Sequence, residues 1–134
     1  MKKILSSIAV VAASLTLLFA AGAASATGGV VVSQTQIDEA VVNRIYLGQS
    51  RDLIAVNQME DSAVRQNFES EVLGRSAEQL RAHWSRLIFT GRASALREVE
   101  SDEAVLEFVR SNPGTIGYIS DASKAGDLNI IIEF

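Results

Sequence analysis

Apolar residues along the chain change period several times, and each change predicts an element. Val30-Val31-Val32 is a β-branched run and predicts a short buried strand. Ile37, Val41 and Ile45 then follow at helical spacing, with Asp38 and Glu39 in the first turn and Gly48 as a stop. Leu53-Ile54-Ala55-Val56 predicts a second strand. Asp61-Ser62 offers an N-cap for a helix striped by Val64, Phe68 and Val72 and ended by Gly74. Ser76-Ala77-Glu78-Gln79 is a capping-box pattern, in which the Ser oxygen and the Gln side chain satisfy opposite free amides. It opens a helix with Ala77, Leu80, Trp84, Leu87 and Ile88 on one face, closed at Thr90-Gly91. Residues 96–99 predict a short strand. Ser101 caps a last helix whose core face is Val105, Leu106, Phe108 and Val109. After the turn Asn112-Pro113-Gly114, residues 115–119 and 128–134 predict two more strands, joined by a polar turn over 120–127. Strands alternate with helices, which predicts a single compact α/β domain: a mixed, mostly parallel sheet flanked by helices.

The start of the chain reads differently. Lys2 and Lys3 precede an uncharged run over 4–21, and Ala24-Ser25-Ala26 follows as a small-x-small cleavage pattern. This is the layout of a secretory signal peptide over 1–26, which leaves a domain over 27–134. No Cys follows the apolar run, so a lipid-anchored form is excluded. With the signal removed no second hydrophobic segment remains, so no membrane span is expected in the mature chain. Export through a cleaved signal, without any cysteine for a disulfide, fits a periplasmic location.

Of 134 residues, 12 are basic and 16 acidic, a formal charge of −4. Loss of Lys2 and Lys3 leaves ten basic groups against the same sixteen, or −6. A net acidic chain is a poor nucleic-acid binder. The charge is unevenly spread. Residues 75–97 hold Arg75, Arg81, Arg86, Arg92 and Arg97 against Glu78 alone, a basic belt that can steer an anion or an acidic partner, though exposed Arg is the ordinary surface state.

Catalytic chemistry finds little footing. No cysteine can serve as nucleophile or metal ligand, and a lone His83 has no triad or ligand spacing around it. No phosphate-loop or dinucleotide fingerprint occurs, so no cofactor is expected and the reading is non-enzymatic. Trp84 on its helical stripe and Tyr118 within a strand are expected to pack in the core rather than stack on a ligand.

Four segments, in order, carry a family resemblance: Ile45-Tyr46-Leu47-Gly48, then 62–68 (SAVRQNF), then Trp84, then 114–119 (GTIGYI). Across roughly residues 30–120 the chain resembles the phosphate-type periplasmic substrate-binding proteins of ABC transporters, in a short single-domain branch of the type-2 periplasmic binding proteins. The resemblance implies one lobe of a fold in which two α/β lobes close over an oxyanion. It also implies a transport-related role, with phosphate as ligand. In that family a Ser-Gly-Thr helix start holds phosphate through hydroxyls and amides, and Ser62-Ala63-Val64 stands in its place. The upstream position that holds Arg in the family falls within 57–61, which carries Glu60 and Asp61.

The residues themselves support a related site. Free amides at a helix start favour an anion, Ser62 adds a hydroxyl, and Arg65 lies one turn in. The candidate ligand residues are therefore Ser62, Ala63, Val64, Arg65 and Arg81. Ordinary structural roles compete with each: Ser62 as a cap, Arg65 paired with Glu69 at i+4, and Arg81 paired or extended into solvent at the edge of its apolar face. Two functions remain. One is a secreted, non-catalytic module that holds a small oxyanion, weakly as a monomer, because half a cleft leaves the ligand in water. The other is an envelope interaction module that has lost its ligand and meets a second copy, as a homodimer, or another envelope protein.

Overall fold

The computed structural model describes residues 28–134; the signal-peptide assignment over 1–26 lies outside them. In chain order the elements are β1 (Val30–Ser33), α1 (Glu39–Tyr46), β2 (Ile54–Gln58), α2 (Ala63–Phe68), α3 (Ala77–Phe89), β3 (Arg97–Val99), α4 (Asp102–Ser111), β4 (Thr115–Ile119) and β5 (Asn129–Glu133). A single π-helical turn, Glu69–Leu73, extends α2, and a 3-10 turn, Ala122–Ala125, lies between β4 and β5.

The five strands form one mixed sheet in the order β3-β2-β4-β1-β5. β2 runs parallel to β3 and to β4, whereas β1 runs antiparallel to both of its neighbours. The α/β domain read from the alternation of elements is the one observed, with parallel and antiparallel pairings equally represented. The first of the described strands, β1, inserts between the last two, β4 and β5. Its outer end is tied by Gly28 and Gly29 amides donating to the Phe134 carbonyl at 2.8 and 2.9 Å.

Alternation along the central strands divides the core between two faces. Val31, Ala55, Ile116 and Tyr118 point to the side covered by α1 and α2, where Val42, Ile45, Tyr46, Val64 and Phe68 meet them. Val30, Val32, Val56 and Ile119 point to the other side, against Val105, Leu106 and Val109 of α4. Gly117 sits on that second face because nothing larger fits: a Cβ there would lie 2.5 Å from Val105 Cγ1 and 2.9 Å from Val56 Cγ1. Tyr118 and Phe68 stack with centroids 4.2 Å apart, and Tyr46 meets the Phe68 ring edge-on at 4.7 Å. Tyr118 is thus a core residue, as its strand position predicts.

Helix α3 departs from its predicted burial. The capping box at Ser76 and Gln79 is present, yet of the five apolar residues on its stripe only Leu80 is fully buried. The helix rests instead on the end of α1. Trp84 Nε1 donates to the Tyr46 carbonyl at 3.2 Å, and the His83 ring nitrogen lies 2.7 Å from the Leu47 carbonyl. Gly48, at φ 73°, leaves room for Trp84 and Leu87 that a Cβ would occupy. Held at that end, α3 stands off the sheet, and a cleft opens along its inner side.

Candidate functional site

The cleft lies between α3, the α2 segment and the edge of the sheet at β2 and β3, with a volume of about 180 Å³. Charged and apolar side chains both line it. Glu60, Arg65, Glu69, Arg81 and Glu98 form one charged cluster, and Leu80, Trp84, Ile88 and Leu96 supply apolar walls.

Arg65 is the centre of the charged cluster. Its backbone is fixed by the helix start, where Ser62 Oγ accepts from the Arg65 amide at 3.3 Å. Val64 and Phe68 anchor α2 in the core, and Arg65, between them in sequence, is carried inward until 8% of its surface remains exposed. A guanidinium so deep needs partners. Nη1 donates to the Gln58 carbonyl and to Glu98 Oε1, each at 2.9 Å, and Nε donates to Glu69 Oε2 at 3.4 Å. The one head group therefore joins α2 to the end of β2 and to the edge strand β3.

The remaining nitrogen differs. Nη2 makes no hydrogen bond among the described residues; its nearest carboxylate is Glu60 Oε1, at 3.9 Å. The same Glu60 oxygen lies 3.4 Å from Nε of Arg81, which reaches across from α3. Two guanidiniums from different elements thus converge on one carboxylate oxygen carried by the loop after β2.

Burial opposes the Arg65 charge, but the Glu98 hydrogen bond and the surrounding negative groups outweigh it, so its pKa stands above the usual guanidinium value. Glu69 behaves differently although it faces the same arginine. Burial dominates and raises its carboxyl above the ordinary range, with Arg65 offsetting only part of the effect. The 3.4 Å contact from Nε is long for a charge-assisted hydrogen bond, which accounts for the incomplete compensation. Glu98, at 2.9 Å, is the stronger partner.

The five candidate residues separate into two groups. Arg65 and Arg81 line the cleft together. Ser62, Ala63 and Val64 do not line it. Ser62 caps α2 and its amide donates to the Met59 carbonyl at 3.0 Å; Ala63 is exposed; Val64 is buried in the core. The expected i+4 pairing of Arg65 with Glu69 is present. What the sequence reading lacked is the rest of the set: Glu60 as the residue between the arginines, Glu98 as the strongest partner, and Trp84, Ile88 and Leu96 as walls. The charge of Glu60 beside a helix start was the available signal for the first. Glu98 is 33 residues from Arg65, and no local pattern connects them.

A second polar cluster ties the other face. Asp102, at the start of α4, accepts from Gln58 Nε2 at 2.8 Å and from the amide and hydroxyl of Ser120 at 3.0 and 2.7 Å. Burial would raise its pKa, but these donors more than compensate and hold it below the usual carboxylate range.

Among the described residues, no group of three or more His, Asp or Glu side chains is placed to hold a metal ion, and no helix is long and apolar enough to cross a membrane. Arg65 is held by three partners, whereas Arg81, with 60% of its side chain exposed, has Glu60 alone as its ion-pair partner among the described residues. Compared with family profiles, curated proteins and solved structures, the chain matches none.

Proposed function

We propose that the protein is a non-catalytic binding module that holds a small oxyanion between Arg65 and Arg81. The observation that carries this reading is the convergence of both guanidiniums on Glu60 Oε1, at 3.9 and 3.4 Å. Planar guanidiniums match the paired oxygens of carboxylates and phosphates. Arg65 is held rigid by Glu98, Glu69 and the Gln58 carbonyl, so it loses little freedom on binding. Glu60 sits on an exposed loop and can leave, giving its place to an incoming anion. Phosphate is the ligand implied by the resemblance to periplasmic substrate-binding proteins, and export to the periplasm would bring the module to such solutes.

Thermal melting in phosphate, sulfate and acetate tests this. A ligand at ten times its dissociation constant adds about 1.4 kcal/mol, which raises the Tm of a domain this size by several degrees. The expected result is a shift with at least one of the three that is lost in Arg81→Ala. Absence of a shift with all three contradicts the proposal.

A second reading, an interaction module, is favoured by one observation: at the end of α3, Phe89 is 93% exposed and Ile88 45% exposed. Single exposed apolar residues are common, but a Phe so fully in water invites cover. A second copy of the chain or an envelope protein would supply it. Size-exclusion chromatography of the protein and of Phe89→Ser tests this reading. A dimer that becomes a monomer in the variant supports it, and a monomer in both removes the homodimer.

A further inference from the structure

We infer that the site takes a small monocarboxylate with an apolar body, and that Glu60 is its built-in competitor. The inference rests on the oxyanion reading above and narrows it to a ligand class. Two observations carry it.

The first is charge. The charged cluster in the cleft holds Arg65 and Arg81 against Glu60, Glu69 and Glu98. Glu69 and Glu98 are bound to Arg65 and stay, so once Glu60 swings away the cluster is neutral. A single negative charge then restores the balance present before. A doubly charged anion leaves an excess beside two fixed carboxylates. What Glu60 presents to both guanidiniums is itself a carboxylate oxygen, so a ligand carboxylate reproduces its contacts.

The second is the wall. Besides the charged groups the cleft is lined by Leu80, Trp84, Ile88 and Leu96, and Ile88 remains 45% exposed. A bare inorganic anion leaves that surface in water. An alkyl or aryl group attached to the carboxylate covers it, and each methylene buried strengthens binding roughly threefold to fourfold.

Trp84 is the single tryptophan of the chain and lines the cleft, so its fluorescence reports occupancy directly. The experiment titrates hexanoate, acetate, 1-hexanol and inorganic phosphate into the protein and into Glu60→Gln, with Tm as a check that the variant folds. Hexanoate is expected to bind at least tenfold more tightly than acetate, phosphate or 1-hexanol. Glu60→Gln should tighten hexanoate about fivefold, the scale of a lost exposed ion pair. Phosphate binding as tightly as hexanoate, or Glu60→Gln leaving hexanoate unchanged or weaker, overturns this inference while leaving the oxyanion reading intact. No response to any of the anions overturns both.

Discussion

Arg65 Nη1 donates at 2.9 Å to Glu98 Oε1, joining a residue of α2 to the edge strand β3 across 33 positions of sequence. The same nitrogen donates to the Gln58 carbonyl at 2.9 Å, so the last residue of β2 is drawn into the same contact. The edge strand has few backbone bonds to hold it, since β3 pairs over three residues and on one side only. The arginine adds a polar attachment to the packing of Val99 on the core and of Arg97 over the Phe108 ring. It gives the sheet edge a fixed position and gives the cleft a fixed cation.

Removal of that cation should therefore be costly. Arg65→Met keeps much of the packing but leaves Glu69 buried without its counter-charge, and breaking one side of such a pair costs about 3 kcal/mol. Chemical denaturation should show the loss as a lowered urea midpoint with little change in slope. Replacing Glu69 as well, in Arg65→Met with Glu69→Leu, should recover part of it, because the remaining carboxylates are exposed. Arg81→Ala should change stability by less than about 0.5 kcal/mol, since both partners of its ion pair are half-exposed. It is consequently the cleaner probe of ligand binding.

Gly117 predicts a steric effect on the opposite face. Gly117→Ala places a methyl 2.5 Å from Val105 Cγ1 and 2.9 Å from Val56 Cγ1. Both neighbours belong to a closed core, so overpacking should cost about 1–3 kcal/mol. Adding Val105→Ala creates space next to the new methyl. The double variant should lose less than the sum of the two single changes, measured by urea denaturation.

Acid should act through Asp102 and Glu69 in opposite directions. The folded pKa of Asp102 is lowered from its ordinary 3.8, so its stabilisation is fully present above that value and is lost as pH falls towards and through the folded value. Asp102→Asn should abolish this part of the acid-induced loss while lowering stability at neutral pH. The folded pKa of Glu69 is raised from 4.5, so its ionised form carries a penalty at neutral pH that disappears as pH falls through the raised value towards 4.5. Relative to Glu69→Gln, the unmodified protein should therefore gain stability over that window. Urea midpoints of the three proteins across the acid range check both signs.

Local chemistry made much of this molecule readable from its sequence. The Ser76–Gln79 capping box, the Ser62 and Ser101 caps and the Val64–Phe68 stripe each depend on residues three or four apart, and each is found in the structure. The i+4 pair of Arg65 and Glu69 is of the same kind. Strand limits were less legible. β2 runs on through Asn57 and Gln58, whose polarity hides a strand because their partners are distant: Gln58 bonds Asp102, and Asn57 accepts from the Tyr118 hydroxyl at 2.6 Å. The 3-10 turn buries Ala125 inside a stretch that reads as polar. The insertion of β1 between β4 and β5, and the meeting of Glu60, Arg65, Arg81 and Glu98, arise from tertiary pairing that no local pattern encodes. The α3 stripe misled for a related reason: its period is that of a core helix, but much of what it faces is a cleft.

The position of the bound anion is the point on which the functional account turns. Nitrogen-detected magnetic resonance of the arginine Nε–H groups, with the backbone amides followed in the same titration, locates it. Addition of a saturating small carboxylate or phosphate should move the Nε signals of Arg65 and Arg81 together, along a single binding curve, with the Ala63 and Val64 amides moving less. Saturable shifts centred on the Ala63 and Val64 amides, with both arginine signals unmoved, would contradict the account.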